Sequence, residues 1–114
     1  MTEPELKDLL DHVSEAANDA IEFIADMSKE KFASDKKTQR AVVFSLQVIG
    51  EASARILKSY PRFAEVHASI PWSAMRGMRN RIVHGYFVID FDVVWKTVED
   101  DLPHLLVALE RIER

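Results

Sequence analysis

The chain has 114 residues, of which 47% are apolar and 30% are charged, with a formal net charge of −4 and no cysteine. This length fits one compact domain, and the lack of cysteine excludes disulfides, thiolate metal sites and a cysteine nucleophile. Three glycines and four prolines are too few for a turn-rich all-β fold, and the acidic balance argues against a general nucleic-acid binder. No apolar run approaches the roughly 20 residues of a membrane span, and the acidic first residues differ from a signal peptide. We therefore predict one cytoplasmic domain over residues 1–114, without a membrane partner.

The first half of the chain predicts two long helices. Apolar residues recur at helical spacing from Pro4 to about Met27, and Met27 to Ser34 is predicted to be a polar connection. Ser34 or Asp35 then caps a second helix that runs toward Lys58. The middle of this helix is apolar almost all round, which is typical of a helix buried in a bundle.

A narrow polar stripe interrupts the second helix. Gln47, Glu51 and Arg55 repeat every four residues on an element that is otherwise apolar. Small residues lie beside this stripe, Gly50 among them, and they allow another helix to approach closely.

The second half predicts three more helices. A residue before proline is biased away from the α region, so the second helix ends at Tyr60, and the third runs from Pro71 to Gly85. Asp90 and Asp92 cap a fourth helix. Pro103 would cost about 3 kcal/mol in a helix interior, so we expect a break near Asp100 and Asp101. Asp101 would cap the last helix, with these side chains facing inward: Leu102, Leu105, Leu106, Leu109 and Ile112. The predicted fold class is all-α, an antiparallel bundle of about four to five helices.

The third helix carries an arginine on its apolar side. At about 100° per residue, Arg79 falls among apolar side chains, whereas Asn80 and His84 lie on a polar arc. An arginine in this position needs an anionic partner or an interface, because an unpaired buried charge is very costly. A purely structural ion pair with Glu51 is one interpretation, and an anion site is the other. The apolar arc consists of Trp72, Met75, Met78, Ile82 and Val83.

The charges of the chain are unevenly distributed around this helix. The 24 residues from Val66 to Ile89 contain no carboxylate and carry +3, whereas the rest of the chain carries −7. An acidic protein with one positive segment differs from a uniformly acidic one, because this segment attracts anions.

Arg79 and His84 form a chemically sensible pair for phosphodiester cleavage. A histidine moves protons near neutral pH, and an arginine stabilises charge on phosphoryl oxygens without a metal. The two residues lie about 140° apart around one helix. They therefore meet only if the helix frays at Gly85 or if a two-fold axis brings two copies of the segment together, and we favour a homodimer. Histidine at a helix end is otherwise a common surface or capping residue.

Two further residue groups have competing interpretations. Tyr86 is either a half-buried aromatic or an exposed phenol that contacts or accepts a phosphate group. Asp100 and His104 have the four-residue spacing of metal ligands, as do Asp8 and His12. Helix capping and a solvated surface explain these residues without metal, so we predict no metal and no cofactor.

The string Met78-Arg-Asn-Arg-Ile-Val-His-Gly-Tyr-Phe resembles the R-x4-H-x-Y motif of the HepT-like proteins in the HEPN superfamily. Its motif residues are Arg79, His84 and Tyr86. Three further strings also resemble that family: Ile49-Gly-Glu-Ala, Ile70-Pro-Trp and Val94-Trp-Lys-Thr-Val. The resemblance therefore extends from about Leu6 to Ile112.

The resemblance implies a homodimeric, metal-independent endoribonuclease that acts as the toxin of a toxin–antitoxin pair. It implies that Arg79 binds the scissile phosphate, that His84 is the general acid and base, and that Asn80 orients the phosphate or His84. Glu51 would be a supporting partner of Arg79. It also implies an antitoxin that is a minimal nucleotidyltransferase and transfers AMP to Tyr86, which would place negative charge in the RNA site. The alternative is a non-catalytic helical adaptor that binds nucleotide or positions the nucleotidyltransferase.

Overall fold

The structure is a computed structural model that describes residues 5–85 and 88–112. In chain order its elements are α1 (Leu6–Phe23), α2 (Lys29–Ser34), α3 (Lys36–Ser59), α4 (Pro61–Val66), α5 (Trp72–Gly85), α6 (Phe91–Lys96), a π-helical segment (Thr97–Asp101) and α7 (Leu102–Glu110). The described residues contain no strand, which confirms the all-α prediction.

The long helix α3 lies at the centre and packs against both α1 and α5. It begins where the sequence predicts, because the Asp35 carboxylate accepts a hydrogen bond from the backbone N–H of Thr38 at 3.1 Å. Its end at Ser59 also matches the prediction, since the cap residue Tyr60 precedes proline. Phe44 differs from the expectation of an almost wholly buried helix, because 65% of this side chain is exposed.

The predicted polar connection between the first two long helices contains a short helix, α2. Ser28 caps it by accepting a hydrogen bond from the N–H of Lys31 at 3.1 Å. Its Phe32 is buried and packs on Phe91 and Trp95, with ring centroids 6.1 and 5.5 Å apart. The prediction of a polar connection without a helix was therefore wrong, because the buried ring of Phe32 holds this short helix against α6. The first long helix is also shorter than predicted and ends at Phe23.

The proline that ends α3 also begins α4. Pro61 is the first residue of this short helix, where its missing N–H and fixed φ suit the first turn. Phe63 of α4 packs on Trp72 with a centroid distance of 6.2 Å. The indole N–H of Trp72 donates to the carbonyl oxygen of His67 at 3.2 Å, and these contacts fix the start of α5.

The expected helix break at Asp100 and Asp101 does not occur. The chain stays helical from α6 to α7 through the π-helical segment, in which the N–H of Leu102 donates to the carbonyl oxygen of Thr97. This five-residue spacing shifts the hydrogen-bond ladder immediately before Pro103, so the proline lies in the first turn of α7. The Asp101 side chain makes no capping hydrogen bond, so the predicted cap was wrong. Asp90 caps α6, as predicted, whereas Asp92, the other predicted cap, lies in the first turn of the helix. The predicted inward residues of α7 are buried except for half-buried Leu106.

Candidate active site

The candidate site is built on α5, which is continuous from Trp72 through Gly85. Trp72 and Ile82 are buried, and Met75 and Met78 are half-buried against the core. Val83, which the helical periodicity places on the apolar arc, is 43% exposed. Because the helix does not fray before Gly85, Arg79 and His84 stay about 140° apart around one axis. A single chain thus keeps the two residues apart.

Arg79 is anchored to α3 by an ion pair. Its Nη1 atom lies 2.9 Å from Oε1 of Glu51, and the two side chains are 23% and 54% exposed respectively. The Nε atom of Arg79 is buried and has no hydrogen-bond partner within residues 5–85 and 88–112. The polar stripe of α3 therefore supplies the anionic partner that the sequence requires. The pairing also holds the guanidinium group at the surface end of the crossing between α3 and α5.

Gly50 allows α5 to lie this close to α3. A Cβ atom at position 50 would come within 2.2 Å of Cβ of Arg79 and within 2.8 Å of the carbonyl oxygen of Met75. Real Cβ atoms do not approach so closely, so any side chain at this position forces the two helices apart. Gly50 and Glu51 are neighbours in sequence, and together they set the depth and the direction of the Arg79 side chain.

His84 and Asn80 lie on the exposed side of α5. They line, with Arg81, a groove of about 700 Å³ whose other wall comes from the start of α6 and the segment before it. Within residues 5–85 and 88–112, the side chains of Asn80 and His84 make no hydrogen bond to another residue. The apolar residues of this wall include Val88 and Val93, which are 82% and 48% exposed. The imidazole is thus accessible beside a surface that is partly apolar.

The positive charge of the site comes from two helices. α5 contributes three arginines and no carboxylate. α3 carries five basic residues, of which only Arg55 and Lys58 lie within two turns of Glu51, and Glu51 is its one carboxylate and is paired with Arg79. The carboxylate-free window in the sequence shows only the first of these contributions. The charge of α3 is also visible in the sequence when the residues of this helix are counted separately. Only the packing of α3 on α5 shows that the two charged helices are neighbours.

The remaining predicted residues lie elsewhere or outside the described residues. Tyr86 lies outside the described residues. Nδ1 of His104, in α7, donates a hydrogen bond of 2.7 Å to the backbone carbonyl oxygen of Asp100 in the π-helical segment. The imidazole thus contacts the backbone of Asp100. Across residues 5–85 and 88–112, no three acidic or histidine side chains are clustered as metal ligands would be. Of the helices that the structure describes, none has the length and apolar character needed to cross a membrane.

The fold and the site define a small all-α protein in which an anchored arginine and an exposed histidine share one cationic helix. The family model described as "Ribonuclease HepT-like" matches residues 13–112. The chain belongs to this HepT-like ribonuclease family, as the motif at Arg79 and His84 predicts.

Relatives from archaea and bacteria support the same assignment over nearly the whole chain. A probable ribonuclease HepT of Thermococcus cleftensis is 41% identical over 108 residues, which cover 95% of this chain and 96% of that protein. A putative RNase of Methanocaldococcus jannaschii is 37% identical over 96% of this chain and 98% of its own length. One of Caldanaerobacter subterraneus is 35% identical over 90% of this chain and 89% of its own. No solved structure matches the chain.

Proposed function

We propose that this protein is a metal-independent endoribonuclease whose reacting groups are Arg79 and His84. The observation that carries the proposal is that α5 presents the exposed His84 five residues after Arg79 on a helix without carboxylates. The ion pair with Glu51 fits a structural arginine as well, and here it holds the guanidinium group in place. The membership in a ribonuclease family and the lack of carboxylates on α5 support it further. RNA is therefore the expected substrate.

The reaction follows from the chemistry of these two side chains. The guanidinium group of Arg79 binds the scissile phosphate through the N–H groups that Glu51 leaves available, and it stabilises the charge that develops on the phosphoryl oxygens. An imidazole of His84 accepts the proton of the ribose 2′-hydroxyl as the 2′-oxygen bonds to phosphorus. As the bond to the 5′-oxygen breaks, an imidazolium returns a proton to that oxygen. Asn80, which lines the same groove as His84, would orient the phosphate or His84.

We propose further that the active form is a homodimer. Arg79 and His84 diverge by about 140° on a continuous helix, so one chain does not direct both side chains at one phosphate. A two-fold axis beside α5 would bring Arg79 of one protomer toward His84 of its partner. Half-buried methionines and exposed Val83 on this helix are suited to such an interface.

The cellular role that we propose is that of the toxin in a type VII toxin–antitoxin system. Its antitoxin would be a minimal nucleotidyltransferase that transfers AMP from ATP to the hydroxyl of Tyr86, two residues beyond His84 in the sequence, and releases pyrophosphate. Each AMP adds a phosphate near the cationic helix, where it occupies the RNA site and repels substrate. The acidic α1, with five carboxylates and one lysine, leaves a separate surface for a basic partner.

The alternative is a non-catalytic adaptor that binds nucleotide and positions the nucleotidyltransferase. The same cationic helix favours nucleotide phosphates as well as RNA, so charge alone does not separate the two functions. Catalysis does separate them, because an adaptor forms a tight complex with its partner and cleaves no RNA.

The decisive experiment mixes two inactive variants. We expect purified wild type to cleave RNA in the presence of EDTA, and Arg79→Ala and His84→Gln each to lose this activity while remaining folded. Co-refolded mixtures of the two variants should regain part of the activity, because a mixed dimer contains one complete site. Two inactive variants that stay inactive when mixed, or a monomeric wild type in light scattering, would contradict the composite site. An inactive wild type would favour the adaptor.

The antitoxin is tested separately by co-expression with a neighbouring nucleotidyltransferase gene. Growth arrest by the wild type alone, its relief by the second gene, and a mass increase of AMP units on the peptide that contains Tyr86 are the expected results. An unmodified peptide in an inactive complex would indicate inhibition by steric cover instead.

A further inference from the structure

The exposed surface of α3 between α1 and α5 has the composition of a single-stranded RNA contact. Its residues recur every three or four positions, which at 100° per residue confines them to an arc of about 80°. Three are basic, one is an exposed phenylalanine, and one is the partner of Arg79. We call this surface the α3 stripe, and it consists of Lys37, Arg40, Phe44, Gln47, Glu51 and Arg55.

Phe44 is the unusual member of the α3 stripe. At 65% exposure it is the most exposed aromatic side chain among those that the structure describes, whereas Phe32 of the neighbouring helix is 1% exposed. It lies between two grooves of about 300 and 370 Å³ that separate α1 from α3. A single exposed aromatic side chain is common on protein surfaces, so its exposure alone does not indicate a ligand. What the open groove provides is an accessible ring face close to the basic residues of the α3 stripe.

The charges around Phe44 indicate what kind of ligand this is. Lys37 and Arg40 precede it by two turns and one turn, and both are exposed. The opposite wall of the groove on α1 carries Glu15 and Asp19. A phosphate backbone is attracted to the α3 side and repelled by the α1 side, so the base is turned toward the ring of Phe44. Bases that stack on aromatic rings while basic side chains bind phosphates are the usual mode of recognition of single-stranded RNA.

The α3 stripe leads directly to the candidate active site. The segment from Lys37 to Glu51 is about 21 Å long at 1.5 Å per residue, and Glu51 lies 2.9 Å from Arg79. The groove that contains Phe44 is also lined by Glu51. A strand whose scissile phosphate lies on Arg79 therefore places nucleotides a short distance away along α3.

We infer that the α3 stripe binds the substrate RNA beyond the scissile phosphate, with Phe44 stacking on one base and with Lys37 and Arg40 binding phosphates. This inference rests on the proposed ribonuclease function. Phe44 would then help to determine which sequence or structure is cleaved, since a base has to be unpaired to stack on it.

The test measures binding without cleavage. A short, labelled single-stranded RNA in which every ribose is 2′-O-methylated has no 2′-hydroxyl to attack, so fluorescence anisotropy with the full-length protein reports the Kd alone. Phe44→Leu keeps apolar volume but removes the ring face, and we expect the Kd to rise about tenfold. Phe44→Trp should retain or strengthen binding. Phe23→Leu is the matched control, because Phe23 is also exposed, at 44%, but lies at the end of α1.

The basic residues of the α3 stripe should affect the salt dependence of RNA binding, which Phe44 should not. Replacing both Lys37 and Arg40 by glutamine should weaken binding and reduce the slope of log Kd against log salt by about 0.7 for each lost phosphate contact. The Phe44→Leu variant should leave that slope unchanged. Arg62→Gln with Lys96→Gln is the charge-matched control, because both residues are exposed on other helices.

Each outcome decides the inference. A Kd that is the same for the stripe variants and their controls, with an active wild type, overturns the RNA contact and leaves the proposed function intact. A wild type that neither binds nor cleaves RNA overturns both. A change in oligomeric mass of Phe44→Leu in light scattering would assign Phe44 to an interface between two copies of the chain, and it would overturn the RNA contact as well.

Discussion

The Nη1 atom of Arg79 donates a hydrogen bond of 2.9 Å to Oε1 of Glu51, and this bond joins α5 to α3 at the edge of the candidate active site. The carboxylate is half exposed, so the bond is accessible to water and to a competing phosphate. Arg79 is thus held in direction without losing all of its hydrogen-bond donors. The ion pair therefore has two possible effects, on the position of the guanidinium group and on the stability of the fold. The rate of RNA cleavage measures the first, and the free energy of unfolding measures the second.

Removing the Glu51 carboxylate should affect catalysis more than stability. The carboxylate is 54% exposed, which limits the strength of the ion pair, but its loss leaves the mostly buried Arg79 without a partner, so the free energy of unfolding of Glu51→Ala should fall by about 1 kcal/mol. The kcat for RNA cleavage should fall about tenfold, because a guanidinium group without its partner samples other directions. Glu51→Gln, which keeps an acceptor oxygen, should recover part of the rate. Glu65→Ala on α4 is the control carboxylate, and an unchanged kcat for Glu51→Ala would contradict the positioning role.

Two glycines should respond in opposite directions to the same substitution. Gly50→Ala places a Cβ atom into the crossing of α3 and α5, so we expect the free energy of unfolding to fall by about 1–3 kcal/mol and RNA cleavage to decrease. Gly77→Ala meets no atom within 4 Å and lies inside α5, so it should stabilise the protein by about 0.5–1 kcal/mol. Urea unfolding monitored by circular dichroism measures both. Equal effects of the two substitutions would show that the crossing is looser than the structure indicates.

Replacement of the exposed imidazole on α5 should abolish most of the chemistry. His84→Gln removes a group that transfers protons, and we expect the rate of RNA cleavage to fall by about 10²–10⁴-fold. His104→Gln is a matched control, since an amide N–H is able to replace the Nδ1 donor that binds the Asp100 carbonyl. Both variants should keep the melting temperature of the wild type within a few degrees. Similar cleavage rates for His84→Gln and the wild type would exclude His84 as the acid and base.

The cap of α3 should make stability depend on pH in the acid range. The backbone N–H of Thr38 binds the Asp35 carboxylate and holds the pKa of this group below its ordinary value. The folded state therefore favours the ionised form, and its stabilising effect is present above the unfolded pKa of about 3.9 and is lost as the pH falls through the lower folded pKa. Asp35→Asn keeps a capping oxygen but has no charge.

The melting temperature of Asp35→Asn should therefore lie below that of the wild type near neutral pH, and the two should converge in acid. Thermal unfolding at a series of pH values measures this difference. Asp19→Asn, on the exposed side of α1, provides the comparison for a carboxylate without a capping role. A difference that persists unchanged into acid would show that the carboxylate charge of Asp35 does not stabilise α3.

The long helices and the anchor of Arg79 are predictable from the sequence because they depend on local signals. The Asp35 cap and the proline after Tyr60 bound α3, and the placement of Arg79 on an apolar arc requires a partner such as Glu51. α2 is not predictable in this way, because it depends on the burial of Phe32 against α6, far along the chain.

The π-helical segment and the exposure of Phe44 have the same kind of origin. A regular helix cannot accept Pro103 in its interior, but the sequence does not show whether the chain breaks there or shifts its ladder by one residue. Periodicity places Phe44 on a mostly apolar helix, and only the position of α1 and α5 around α3 decides that it is left exposed. The convergence of Arg79 and His84 depends on a second chain, so it stays a prediction.

The opposite charges of the neighbouring helices α1 and α3 make the protein an electric dipole, with five carboxylates on one helix and five basic residues on the other. A polyanion that diffuses toward such a molecule is turned before contact, so that it meets α3 and α5 more often than chance allows. The small net negative charge then limits retention on the rest of the surface. The orientation of the polyanion before contact thus favours binding at α3 and α5 over binding elsewhere, without any additional contact. This preference weakens as added salt shortens the range of the electric field.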